Sequence, residues 1–123
     1  MVAAVIRRDD RYLVGRRPPE KRHGGLWEFP GGKVLEDESR LEAARRELDE
    51  ELGLEVVALG RLLLSVADEG SAFLIEFFET TATGTPEARE HTEVGWFTVA
   101  ELGSLELAPA DARLVRELRA RAS

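Results

Sequence analysis

The stretch from Ser39 to Gly53 constrains the fold of this chain more than any other. Ser39 followed three residues later by Glu42 has the form of a capping box, Leu41, Ala44, Leu48 and Leu52 recur at helical spacing, and Gly53 supplies a C-cap. An amphipathic helix over about residues 39–52 is therefore predicted. On it Glu47, Glu50 and Glu51 stand at i, i+3 and i+4, so their side chains emerge from neighbouring turns on the flank of the apolar stripe. Carboxylates crowded beside a core repel one another, and more strongly when partly desolvated. A divalent cation turns that repulsion into binding. Oxygen ligands without His or Cys favour Mg²⁺ or Mn²⁺, and Mg²⁺ completes its octahedron with water and substrate phosphate. The plain alternative is a solvated face on which Arg40, Arg45 and Arg46 pair with Glu36, Glu42 and Glu50.

The remaining pattern mixes strands and helices. Apolar runs at residues 2–6 and 12–14, separated by Asp9-Asp10, read as two strands of a hairpin. From Gly15 to Gly32, prolines and glycines interleave with Arg16, Arg17, Lys21 and Arg22, which predicts a positively charged loop. Residues 56–66 and 72–81 are strand-like, with Asp68-Glu69-Gly70 as their turn, and residues 94–97 form another strand. Pro109 opens a final helix over residues 110–120, with Leu114, Val115 and Leu118 as its apolar stripe. The order implies an α/β class, a mixed α/β sandwich. With 123 residues and 43% hydrophobic content, the chain is expected to form one domain, 1–123, with a core that needs no staples. No cysteine is present, so disulfides, thiolate metal sites and a Cys nucleophile are excluded and a reducing, cytoplasmic setting is expected. Lys and Arg total 17 against 24 Asp and Glu, a net charge of -7, which argues against binding duplex nucleic acid. The apolar run at residues 2–6 is too short for a signal sequence or a membrane span, so no membrane partner is expected.

Gly32 is followed after five residues by Glu38, and after seven more by Arg46-Glu47-Leu48-Asp49-Glu50-Glu51-Leu52-Gly53-Leu54. This segment resembles the signature of the Nudix hydrolases at every fixed position, a coincidence expected by chance on the order of 10⁻⁸ per window. Leu26-Trp27-Glu28-Phe29-Pro30-Gly31-Gly32-Lys33 is similar to the lead-in of MutT-type members, and Glu90-His91-Thr92-Glu93-Val94-Gly95-Trp96 to their acidic segment before a tryptophan strand. The resemblance thus covers nearly the whole chain. It implies the Nudix α/β/α sandwich, with a mixed β-sheet between helices, and hydrolysis of a nucleoside diphosphate linked to another group. It further implies that Glu47, Glu50 and Glu51 bind metal and serve catalysis, that the carbonyl of Gly31 or Gly32 completes a site, and that Glu90 joins as a fourth acid. Glu38 and Arg46 would hold loop and helix together, and Gly53 belongs to the same box.

These assignments suit the chemistry. Phosphoanhydride hydrolysis needs the phosphate charge neutralised and a water placed in line, which metals bridged by carboxylates supply. Glu47 is the residue expected to orient or deprotonate that water. Arg17 and Lys33 are candidates for phosphate contacts, with surface solvation as the alternative. His23 and His91 fall in predicted loops without the partners of a catalytic triad, so solvated or supporting roles are expected. Trp27, Phe29 and Trp96 suit the core, and Phe29 is the best candidate to stack on a base because it directly precedes the metal-site loop.

Markers outside the box narrow the substrate. The ADP-ribose group carries a downstream Pro where this chain has Glu69, the dinucleoside polyphosphate group carries a Tyr, and the sole tyrosine here is Tyr12. The compact MutT-like class remains, which converts a nucleoside triphosphate to the monophosphate and pyrophosphate and in some members cleanses the nucleotide pool. Leu107-Ala108-Pro109-Ala110-Asp111 resembles the segment of MutT-like and CTP pyrophosphohydrolase members whose Asp or Asn reads the base edge. Asp111 is accordingly the base-reading candidate. As an ionised carboxylate it would only accept hydrogen bonds and so favour a base edge that offers an amino group. Its alternative role is that of an acid favoured by the helix dipole. A nucleotide-binding or sensor module without turnover, or a Nudix hydrolase acting on another nucleoside diphosphate derivative, are the competing readings. Sensor modules usually lose box glutamates, and here all are present. The oligomeric expectation is a monomer or homodimer.

Overall fold

Val2, Ala3, Ala4 and Val5 are all buried, which a strand achieves only when both of its faces are covered. In the computed structural model, which describes residues 1–122, they form the centre of the molecule. Along the chain the elements are β1 (Val2–Val5), β2 (Arg7–Arg8), β3 (Arg11–Arg16), β4 (Trp27–Glu28), β5 (Gly31–Gly32), α1 (Arg40–Leu52), β6 (Glu55–Ala67), β7 (Leu74–Thr83), β8 (Glu93–Thr98), α2 (Val99–Leu102) and α3 (Pro109–Ala122). One mixed sheet has the order β5-β1-β7-β6, with β1 parallel to β7 and antiparallel to β5. The second sheet joins β2, β3 and β4, and β8 pairs with β3 over its whole length.

Side-chain alternation along β1 assigns the helices to opposite faces. Val2 and Ala4 pack with Ala44, Leu48 and Leu52 of α1, whereas Ala3 and Val5 pack with Leu114, Val115 and Leu118 of α3. On β3, Leu13 joins the α1 cluster and Val14 the α3 cluster, so the two sheets share both cores. Helix α1 begins at a complete capping box, in which Ser39 Oγ accepts from Glu42 N–H at 3.1 Å and Glu42 Oε1 accepts from Ser39 N–H at 2.9 Å. It ends at Gly53, whose φ of 67° is the left-handed conformation that glycine adopts without strain. Trp27 stacks edge-on against Phe97, and Arg8 lies over the Trp96 ring.

The expected hairpin is partly corrected. Its turn is present, with Asp9 at φ 57° and Arg7–Arg8 paired to Arg11 and Tyr12, but residues 2–5 leave it and join the other sheet. A chain whose first strand is apolar at every position has two faces to bury, and a simple hairpin would cover neither. The loop expected between Gly15 and Gly32 also contains the short strands β4 and β5, pinned because Gly31 and Gly32 pair with Ala3 and Val2. The four-residue α2 is too short to show a period, although Thr98 and Glu101 carry its capping box.

Candidate active site

Helix α1 brings Glu47 against Gly32 of β5, which pairs with β1, and Glu51 beside Glu28 of β4. Glu51 is 4% exposed, and its Oε2 is buried without a hydrogen-bond partner. Burial pushes its carboxyl up to about 10, helped by a hydrogen bond with Glu47 and by the negative charges of Glu28, Glu47 and Glu90. Glu47 is half-buried against Gly32, where an added Cβ would collide with its carboxylate and displace it. Arg46 fixes the geometry. Its Nε and Nη2 donate to Glu38 at 2.9 and 3.0 Å, its Nη2 also donates to the Lys33 carbonyl at 3.0 Å, and its Nη1 holds Glu47 Oε1. Hydrogen bonding from Arg46, and then from the Leu35 N–H, pulls the Glu38 carboxyl down to about 2.

The three carboxylates of the helix are therefore not equivalent. Glu51 is enclosed, Glu47 lies at the margin, and Glu50 is 53% exposed with Arg46 Nη1 at 3.7 Å. Of the ion pairs weighed for a merely solvated face, Arg40 instead joins Glu76 at 2.6 Å and Arg45 donates to the Val56 carbonyl.

Glu28, to which the sequence pattern assigned no role, and His91, for which a solvated or supporting role is expected, complete the cluster. Glu28 Oε2 lies 3.0 Å from His91 Nε2, which is 3.8 Å from Glu51 Oε1, and ligand atoms of Glu28, Glu51 and His91 all lie within 4.8 Å of one another. His91 is in a loop as expected, yet it is buried and not solvated, and its Nδ1 has no partner. Arg17 Nη1 grips both oxygens of Glu28, at 3.0 and 3.1 Å. A buried acid with an orphaned oxygen, ringed by further acids, is an arrangement that a divalent cation stabilises. Glu51, Glu47, Glu28 and His91 could hold one, with Glu90 close enough to act electrostatically on Glu51.

The NUDIX domain family pattern matches residues 1–118 of the chain. The chain belongs to the NUDIX family. It is 40% identical over 123 residues to the CTP pyrophosphohydrolase of Escherichia coli (strain K12), covering 98% of this chain and 90% of that protein. It is 37% identical over 95 residues to the 8-oxo-dGTP diphosphatase of Haemophilus influenzae, covering 74% and 68% respectively. Among solved structures it is similar to the MutT NUDIX hydrolase from Burkholderia pseudomallei, with a TM-score of 0.82, 30% identity and coverage of 94% of both chains. This Nudix protein is accordingly an enzyme, a hydrolase, of a family that generally uses divalent metal ions and acts on nucleotides. No helix among the described residues is long and apolar enough to cross a membrane.

One expectation for the substrate side is corrected. Phe29 is 3% exposed and packs edge-on against Phe77 in the core, so its ring is not a surface on which a base can stack. Its backbone serves instead, because Phe29 N–H donates to Asp111 Oδ1 at 2.8 Å. Asp111 is 5% exposed, and burial, aided by the charge of Glu28, pushes its carboxyl well above the ordinary range. The enclosed position thus works against the acceptor-only carboxylate, while the Phe29 N–H and the charge of Arg17 work for it. Lys33 is exposed with its ammonium 4.8 Å from the Phe73 ring centroid, and Arg17 is already engaged by Glu28.

Proposed function

We propose that this Nudix hydrolase converts a nucleoside triphosphate and water to the monophosphate and pyrophosphate with Mg²⁺, as one catalytic domain. The observation that carries this reading is the enclosed Glu51 beside Glu47 and the glycine loop, in a chain so similar to a CTP pyrophosphohydrolase. In this reading Glu47, Glu50 and Glu51 hold the metal, with the carbonyl of Gly31 or Gly32 and with Glu90. A divalent ion held there would supply charge neutralisation for the phosphates and a more acidic water. Arg46 braces Glu47, which orients that water or takes its proton, and the Glu38 carboxylate keeps Arg46 in place. His91 and Arg17 keep Glu28 turned toward Glu51.

Pyrophosphate release across a panel of CTP, dCTP, 5-methyl-dCTP, dGTP and 8-oxo-dGTP tests the reaction type. Equimolar monophosphate and pyrophosphate, lost on removal of Mg²⁺, are expected for at least one member. Release of orthophosphate, or no release from any member, overturns the reading.

Asp111 is proposed to read the base. Asp111→Asn keeps an acceptor for the Phe29 N–H and the shape of the side chain, so the fold should survive. A hydrogen bond to the acid group is worth about 1 to 3 kcal/mol, so kcat/KM for the preferred nucleotide should fall by roughly tenfold or more, with poor substrates little changed. An equal fall for all nucleotides would assign Asp111 to the core alone.

A further inference from the structure

The loop between β3 and β4 closes on itself, with Arg17 N–H donating to the Leu26 carbonyl and Gly25 N–H to the Arg17 carbonyl, both at 2.9 Å. Its tip crosses to the turn between β6 and β7, which belongs to the other sheet. There Arg22 Nη1 and Ser71 Oγ both donate to Asp68 Oδ2, and His23 Nε2 lies 3.7 Å from Asp68 Oδ1. Asp68 is 9% exposed although the residues that follow it in the turn are exposed. Burial alone would raise its carboxyl, but the hydrogen bonds from Arg22 and Ser71 and the charge of Arg22 outweigh this and hold it low, as an anion. Beside the clamp His23 has a φ of 59°, an unusual conformation for a non-glycine residue, held where the loop reverses.

The clamp continues inward. The carbonyl of Arg22 accepts from Arg17 Nε, and the other end of the same guanidinium grips Glu28, whose Oε2 meets His91 beside Glu51. Arg17 is thus braced between two acceptors. One of them, Glu28, is fixed on β4, while the other is a loop carbonyl whose tip is tied across the sheets at Asp68. Without that tie, the loop retains bonds within itself, Lys21 N–H to the Pro18 carbonyl and Leu26 N–H to the His23 carbonyl at 3.1 Å and Arg16 Nε to the Gly25 carbonyl, but these do not fix its tip to the other sheet.

We propose that Asp68 is a positioning residue for this enzyme: by clamping Arg22 across the two sheets it braces Arg17, and through Arg17 it holds Glu28 beside Glu51. The kinetic part of this assignment rests on the reaction proposed above, whereas the structural part does not. Effects passed along one chain of contacts are non-additive. Asp68→Ala and Arg22→Ala should therefore each lower kcat by roughly tenfold, since small misplacements at a reacting centre carry large rate penalties. The double variant should fall no further, and Asp68→Ala should have no added effect in an Arg17→Ala background. Asp68→Glu, which keeps the anion, should restore most of the rate.

The test pairs these kinetics, on whichever nucleotide is turned over, with the NMR resonance of the Arg17 Nε–H in the substrate-free protein. That resonance should shift or broaden in Asp68→Ala and Arg22→Ala and persist in Asp68→Glu. An unchanged Arg17 resonance in Asp68→Ala overturns the proposal whatever the substrate. So do losses that add in the Arg17→Ala background, or a lower Tm with unchanged kcat. If the wild type hydrolyses no nucleotide, the reaction assignment fails, and the Arg17 resonance still decides whether the brace exists.

Discussion

Glu51→Gln and Glu47→Gln should each lower turnover at saturating Mg²⁺ by two orders of magnitude or more with the fold kept. Glutamine preserves the volume and helix propensity of the side chain and removes its charge, so what is lost is an anionic ligand. Where a metal supplies several kcal/mol of transition-state stabilisation, each 1.36 kcal/mol forfeited is about a factor of ten in rate. Glu51 has the most to lose, because its enclosed oxygen has no protein donor to fall back on. Glu50→Gln should also fall by about a hundredfold, although Glu50 stands at the exposed edge of the site. Glu55→Gln, on the exposed start of β6, should be unchanged. The measurement is kcat from pyrophosphate release, with circular dichroism to confirm the helix content. Near-normal turnover in Glu47→Gln or Glu51→Gln would remove them from the catalytic assignment.

Residue spacing reaches only the part of this site written on one helix, whereas Gly31, Gly32, Glu38 and Glu90 enter through the family resemblance. Spacing alone put Glu47, Glu50 and Glu51 on neighbouring turns beside an apolar stripe, and the capping residues at Ser39, Glu42 and Gly53 set the ends of that helix. Spacing could not grade the three acids by burial, because that depends on which neighbours close over each. Glu51 is enclosed by Glu28 and His91, which arrive from β4 and from the loop before β8, and these come within 4.8 Å of Glu51 only through pairing of β3 with both strands. The available signal was Glu28 itself, a charged residue inside an otherwise apolar and glycine-rich run, but nothing in its local period names a partner. Phe29 shows the opposite failure. Its place before the glycine loop suggested a binding surface, while the alternation that turns Glu28 toward the acids turns Phe29 into the core against Phe77. Likewise β1 looked like half of a hairpin because hairpins are local, and its parallel pairing with β7, more than seventy residues away, leaves no local trace.

Without divalent metal, stability should fall as the pH rises across the neutral range, and Glu51 should contribute to the fall. Its folded carboxyl is pushed up to about 10 from an ordinary value of 4.5. Between those values the folded state keeps a proton that the unfolded state has released, so the unfolded state binds fewer protons and the stability declines with pH. The contribution is complete below about 4.5, is lost progressively above it, and levels off once the folded group also ionises. Asp111, also raised by burial, acts in the same direction. Glu38 does not offset them, because a carboxyl pulled down to about 2 contributes its stabilisation fully above 4.5 and loses it only in acid. One proton difference amounts to at most about 1.4 kcal/mol per pH unit, or up to roughly 2.7 kcal/mol between pH 6 and 8. For a domain of this size that corresponds to a Tm lower by roughly 5 to 15 °C. A cation held by the carboxylates reverses the preference and binds the folded state, so Mg²⁺ should raise Tm, and more at pH 8 than at pH 6. Glu51→Gln carries no such proton. In chelator its Tm at pH 8 should exceed that of the wild type, its decline from pH 6 to 8 should be shallower, and its response to Mg²⁺ should be weaker. Differential scanning calorimetry at both pH values, with and without Mg²⁺, reads all three. A wild-type Tm that is flat or rising in chelator, or a Glu51→Gln variant that tracks the wild type, would show that Glu51 is not held protonated by its burial.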